Sequence, residues 1–318
     1  MNNLKGALVV GIDEYPGTNV LRGCVNDATA IATLLEYNED GSRNFEVQLR
    51  CNVKAKGDLR KIITKLLNAD LHIALFYFAG HGCITDYGGC LVTPDYTSYD
   101  EGISMDELLL MCNKSPIKEK VIILDCCNSG RFGILTTSGA NTAYLGSGIT
   151  ILAACGDLEK SVEKSGHGLF TSLLINGLEG GAADIAGNIT TGGIYTFIDR
   201  SLGFWQQRPQ FKTNISRFMP LRTVKPVIPA AEVLKKITEY FTVADMIFPL
   251  DPTFEDTNTA IAIAGNVEIF KKLQKMQSVG LVVPDEEEFM YWAAQRSKGC
   301  KLTPIGKHYW KLVKDNRI

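Results

Sequence analysis

Residues 121–130 read VIILDCCNSG. Val121 to Leu124 form a short apolar run with no polar alternation, the pattern of a strand covered on both faces. The run ends on Asp125 and two adjacent thiols, Cys126 and Cys127, followed by a small polar turn. A second run, IALFYF (73–78), leads into AGHG, which sets His81 between Gly80 and Gly82. In a doubly wound sheet, functional groups gather where loops leave the carboxyl ends of the strands. If these two strands are parallel neighbours, His81 meets a cysteine although Cys127 lies 46 positions further on.

Working outward, further apolar runs cover Ala7 to Ile12, Phe45 to Cys51 and Ile149 to Ala154. Between them, Leu59, Ile62, Ile63, Leu66 and Leu67 recur at helical spacing. Ser104 and Glu107 make a capping box ahead of Leu108 to Met111, and Asn26 is read as the N-cap of a helix reaching Leu35. Helical patterns recur near Gly168 to Leu178 and Tyr195 to Leu202, with a last edge strand near Gln210 to Ile215. Strand and helix in alternation predict an α/β domain with a mainly parallel sheet over residues 1–222.

Residues 223–230, within TVKPVIPAA, read as a linker because Pro226 and Pro229 interrupt both helix and strand. Residues 231–318 then predict a small α+β, winged-helix-like domain. Its expected helices lie near Ala231 to Phe241, Val267 to Ser278 and Gly306 to Val313. Its expected strands are Leu281 to Val283 and Phe289 to Ala293, with DEEE (285–288) as a solvated turn.

The bulk composition narrows the function classes. With 45% hydrophobic and 21% charged residues and a net charge of -2, the chain offers no electrostatic case for nucleic acid or a membrane surface. Nine cysteines, an odd number without a C-x-x-C pair, point away from a disulfide framework and toward reduced thiols in a cytoplasm. The N-terminal residues lack the charged and apolar regions of a signal peptide, and no long uncharged apolar run is present to span a bilayer. No Cys/His spacing matches a zinc site.

An imidazole beside a thiol accepts its proton, generates the nucleophilic thiolate and later protonates a leaving amine. The flanking glycines let substrate approach the backbone, so the amides of Gly82 and the nucleophilic cysteine are candidates for an oxyanion hole. On the residues alone, either vicinal thiol can play the nucleophile.

These segments resemble the caspase-like cysteine peptidases, and within them the metacaspase branch. The resemblance rests on the GHG around His81, on DCCNSG and on the opening VVGIDEYPGTNVLRGCVNDA (9–28). It extends through ILAACGDLEKSVE (151–163), HGLFTSLLINGLEGGAAD (167–184) and QRPQF (207–211), covering about residues 5 to 220. It implies a caspase-like sandwich, His81 as general base and acid, and Cys127, the third position of D-C-C, as nucleophile. Cys126 is then a buried neighbour. The resemblance also implies a specificity pocket walled by Asp27, Asp125 and Cys24. Two carboxylates in such a pocket favour a basic P1 side chain, so cleavage after Arg or Lys is expected.

Two positions depart from the family pattern: Asn128 replaces a frequent histidine, and Ala79 replaces a serine that contributes to the basic-residue pocket. The acids Asp95, Asp100, Glu101, Asp106 and Glu107 do not match the spacing of the acidic cluster in calcium-activated members, so no cofactor and no calcium requirement are expected. His167, also between two glycines, is read as structural and remote from the dyad, and His72 and His308 receive no role. Arg131, Lys160 and Lys164 lie in loop-like stretches open to self-cleavage.

Three functions compete. The first is an endopeptidase, by analogy one serving a defence or cell-death-like pathway. The second is a catalytically silent scaffold, which needs neither His81, Gly82 nor Cys127. The third is a DNA-binding regulator acting through the C-terminal domain. Residues 230–318 hold twelve Lys and Arg against twelve Asp and Glu, without the basic excess of a DNA reader, so a protein partner is expected there instead.

Overall fold

The computed structural model describes residues 4–85, 88–126, 145–154, 167–203, 208–229, 232–257 and 259–318. The chain divides into two compact units, Met1–Asp184 with Asn188–Val224, and Ile185–Gly187 with Lys225–Ile318. The first unit begins with β1 (Lys5–Gly11), α1 (Cys24–Glu36), β2 (Glu46–Cys51), α2 (Lys56–Leu67) and β3 (Ile73–Ala79). Next come β4 (Gly82–Thr85), β5 (Gly88–Thr97), β6 (Asp100–Ser104), α3 (Met105–Lys114), β7 (Glu119–Asp125) and β8 (Ile149–Ala153). It closes with α4 (Leu169–Asn176), β9 (Asn188–Ile189), α5 (Thr191–Ser201), β10 (Gln210–Asn214) and β11 (Arg222–Thr223).

The central sheet has the order β10-β8-β7-β3-β1-β2, parallel throughout except for the antiparallel edge strand β10. β3 and β7 are neighbours at its centre, and Ala79 lies opposite Asp125 in their register. Alternation along each strand sorts side chains into two cores. Phe76, Phe78, Ile122, Leu124 and Cys126 pack with α2 and α3, whereas Leu75, Tyr77, Val121 and Ile123 pack with α1, α4 and α5. The mixed α/β sandwich expected for the first unit is the fold observed.

Two helix starts need separate accounts. Ser104 Oγ accepts the Glu107 N–H at 3.0 Å, as the capping box requires, while the Glu107 carboxylate turns to Arg60. α1 starts at Cys24, two residues before the expected cap at Asn26. The cap is remote in sequence: Asp13, just past β1, accepts the N–H groups of Cys24 at 2.9 Å and Val25 at 3.3 Å. Gly11 makes this approach possible, because a Cβ there would stand 2.2 Å from the Cys24 carbonyl oxygen.

The periodicity did not reveal the antiparallel sheet β4-β5-β6 that follows His81. Its register sets Cys83 opposite Cys90, and the two form a disulfide. The expectation of reduced thiols is therefore corrected at this pair. Seven positions separate the two cysteines, and only a hairpin brings them together. Cys24, Cys51, Cys112, Cys126 and Cys300 are outside disulfides.

The second unit contains α6 (Ile237–Tyr240), β12 (Ile247–Pro249), α7 (Ala264–Ser278), β13 (Val282–Asp285), α8 (Met290–Gln295), β14 (Gly299–Leu302) and α9 (Pro304–Lys314). Its three-stranded antiparallel sheet has the order β12-β14-β13. Residues 289–293, expected as a strand, contribute instead to α8, which buries Met290, Ala293 and Ala294 at helical spacing. The strand pairing with β13 is β14. In the stretch read as a linker, Thr223 still pairs with Asn188, and Ile228 is buried in the core of the second unit. Among the described residues, no helix is long and apolar enough to cross a membrane.

Candidate active site

His81 follows β3 by two residues, and its surroundings fix the ring. The ring meets Tyr15 edge-on, with centroids 4.6 Å apart. The Tyr15 hydroxyl accepts the His81 backbone N–H at 3.0 Å and donates to the Val92 carbonyl at 3.3 Å. A Cβ on Gly80 would lie 2.6 Å from that hydroxyl, so glycine is required where the chain passes beneath Tyr15. His81 Nε2 lies 2.7 Å from the Asn19 carbonyl oxygen. A carbonyl only accepts, so Nε2 carries the proton and Nδ1 is left as the basic nitrogen. His81 and Gly82 line a cavity of about 300 Å³ together with Tyr15, Cys83 and Tyr96.

The acids occupy the other face of the same sheet end. Strand alternation sends Cys126 into the α2/α3 core, where it is 1% exposed, and Asp125 toward α1 and α4. The Asp125 carboxylate accepts the Thr171 hydroxyl of α4, and Thr171 in turn lies 2.7 Å from the Tyr77 hydroxyl. Burial raises the Tyr77 phenol well above its ordinary range, so Tyr77 donates to Thr171 and Thr171 donates to Asp125.

Asp27, in the first turn of α1, is 4% exposed. His167 Nδ1 stands 2.5 Å from its Oδ1. Burial pushes the Asp27 carboxyl up to about 6, against the hydrogen bond and charge of His167 and the Gly168 N–H. His167, read as structural, is thus a hydrogen-bond partner of Asp27, one of the acids expected in the specificity pocket. Gly168, the N-cap of α4, sits between the acids. A Cβ there would be 3.7 Å from Asp125 Oδ2 and 3.9 Å from Asp27 Oδ2. Cys24, half-buried, precedes Asp27 by three residues on α1 and so shares its face.

The structure therefore brings Asp27 and Asp125 together around Gly168 and places His81 at the end of the strand beside Asp125. Cys127, Asn128, Arg131, Lys160 and Lys164 lie outside the described residues. Sequence reasoning missed Asp13, Tyr15, Asn19 and Thr171. Asn19 acts through its carbonyl, which no side-chain pattern reveals, whereas Tyr15 and Thr171 stand inside the quoted motifs without a reason to single them out. The acids after β4 have structural partners: Asp95 caps α2 through the Lys56 N–H at 3.0 Å, Asp100 pairs with Lys56, and Glu107 pairs with Arg60. Among the described residues no group of His, Cys, Asp and Glu is arranged to hold a metal ion.

A mainly parallel α/β sandwich, with His81 just past one central strand and Asp125 and Cys126 at the end of its neighbour, is the arrangement that the resemblance implies. A family model for the caspase domain matches residues 5–218, and the chain belongs to this family of peptidases. It is also similar to metacaspase-1 of Plasmodium falciparum (isolate 3D7), 29% identical over 150 residues. That match takes in 40% of this chain and spans only 24% of the relative.

Proposed function

We propose that the chain is a cysteine endopeptidase that cleaves after arginine or lysine. The observation that carries this reading is the convergence of two buried carboxylates, Asp27 and Asp125, on the small residue Gly168 at the end of the sheet that bears His81. A pocket with two acids on either side of a glycine suits a cationic P1 group.

In this mechanism the Cys127 thiol gives its proton to His81 Nδ1, and the thiolate adds to the carbonyl carbon of the P1 residue. The oxyanion is held by the amides of Gly82 and Cys127. The protonated His81 then delivers its proton to the departing amine, leaving a thioester. A water molecule, losing its proton to His81, attacks the thioester and frees the carboxylic acid and the thiol. The burial of Cys126 supports Cys127 as the attacking thiol, since a 1% exposed sulfur has no approach for substrate. Cys24 forms part of the pocket wall. No cofactor is required, and the commitment of Asp95, Asp100 and Glu107 to Lys56 and Arg60 supports calcium independence.

We read residues 223–230 as the connection to a regulatory module that contacts a protein partner. The antiparallel β13–β14 pair supports its winged-helix-like reading, and the exposed Phe289, Tyr291 and Trp292 support the contact role. An enzyme of a defence or cell-death-like pathway fits this combination. Fluorogenic peptides ending in Arg, Lys or Asp, assayed with wild type and Cys127→Ala, test the proposal. Turnover after Arg and Lys, lost in the variant, is expected. Turnover only after Asp overturns the pocket assignment, and turnover of none overturns the enzyme.

A further inference from the structure

A second cavity, of about 270 Å³, opens at the opposite end of the central sheet. His72, which precedes β3, and Glu119, which begins β7, both line it. Register pairs Ile73 with Glu119 at this end and Ala79 with Asp125 at the other, six residues along each strand. At the rise of a strand the two ends are about 20 Å apart, so this cavity is distinct from the His81 site.

The chemistry of its lining is unfinished. Glu119 is 7% exposed, yet among the described residues its carboxylate accepts only the Met219 N–H, at 3.4 Å. Lys5 and Arg217 act on it electrostatically, but neither is within ion-pair distance, and the Lys5 ammonium donates instead to Asn44 and the Pro220 carbonyl. Burial raises the Glu119 carboxyl above its ordinary value, as expected for an acid short of donors. His72 Nδ1, also buried, has no hydrogen-bond partner among the described residues. A nearly buried carboxylate that lines a cavity with one long hydrogen bond asks for a ligand that supplies the missing donors. Lys118 and Arg217 also line the cavity, and neither forms an ion pair among the described residues. Ile73 and Ile215 add apolar wall.

We propose that this cavity binds a small zwitterion, a free α-amino acid with an apolar side chain. The ammonium donates to Glu119, the carboxylate is held by Arg217 and Lys118, and the side chain lies against Ile73 and Ile215. A simple amine leaves the two bases without an anion, and a simple acid leaves Glu119 without a donor.

Titration calorimetry on the full chain tests the site with L-leucine, 3-methylbutylamine and 4-methylpentanoate as probes. L-leucine is expected to bind, with each one-charge probe at least about tenfold weaker. Glu119→Gln, which keeps shape and removes charge, is expected to weaken L-leucine at least about tenfold, and Arg217→Ala to do the same. Arg217 is exposed, so its variant folds and remains informative if the Glu119 change does not. No heat with L-leucine at millimolar concentration overturns the proposal. So does equal binding of the amine or the acid, or an unchanged affinity in Arg217→Ala.

Discussion

Replacing His167 with alanine should change where on the pH scale a basic substrate is recognised. Asp27 is buried, with its carboxyl pushed up to about 6 even while His167 and the Gly168 N–H hold the charged form. A cationic P1 side chain needs that carboxylate ionised. In wild type, then, KM for an arginyl peptide is expected to be low above pH 7 and to rise as pH falls through about 6. A hydrogen bond to a charged group contributes about 1.5–3 kcal/mol, which corresponds to about one to two pH units. His167→Ala should move the KM midpoint upward by that amount and leave kcat at high pH unchanged. His167→Asn, whose amide N–H can stand in for Nδ1, should restore most of the wild-type midpoint. The linkage to stability runs the same way. A carboxyl raised from 3.8 to about 6 binds its proton more tightly in the folded state, so its charge costs about 3 kcal/mol at neutral pH, relieved as pH falls below 6. A carbon-13 titration of the Asp27 carboxyl reads the same midpoint without substrate and separates the His167 contact from the role of the pocket. Identical midpoints in wild type and His167→Ala would refute the reasoning.

Gly168→Ala should fold normally, since its φ of -63° suits alanine and its Cβ would make only ordinary contacts with the two acids. The methyl fills space between them, so KM for arginyl peptides should rise at least about tenfold with the unfolding midpoint unchanged. Thr171→Val keeps the shape but removes the donor to Asp125. It should destabilise the fold by about 1–3 kcal/mol in denaturant titrations and weaken basic substrates at the same time. An arginyl chloromethylketone should label Cys127, as read by peptide mass mapping, and an adduct on Cys126 would contradict the burial of that thiol.

Much of this was legible because the decisive residues sit at strand ends within long apolar runs. VIIL and IALFYF could be little else than central strands, and period-two alternation then fixes Asp125 and Cys126 on opposite faces. What stayed hidden depends on partners distant in sequence. Asp13 caps α1 from eleven positions away, and Thr171 reaches Asp125 across 46. His167 bonds Asp27 across 140, and nothing in its immediate neighbours foretells that contact. The β4-β5-β6 sheet escaped because Gly88, Gly89 and the charged residues after Asp95 dilute its apolar pattern. Residues 289–293 were misread because Phe289, Tyr291 and Trp292 favour strands, whereas burial of Met290, Ala293 and Ala294 at helical spacing decided the outcome.

The Cys83–Cys90 bridge lies in the hairpin that starts one residue after His81, and Cys83 shares a cavity wall with that histidine. Thiol-dependent enzymes are handled in reductant so that the attacking sulfur stays a thiolate. Here the same reagent would open the staple beside His81, while its omission would leave Cys127, the proposed nucleophile, open to oxidation. Preparations differing only in reductant are thus chemically different molecules around His81. Their activities become comparable only when the bridge has been counted, for instance by alkylation before and after reduction.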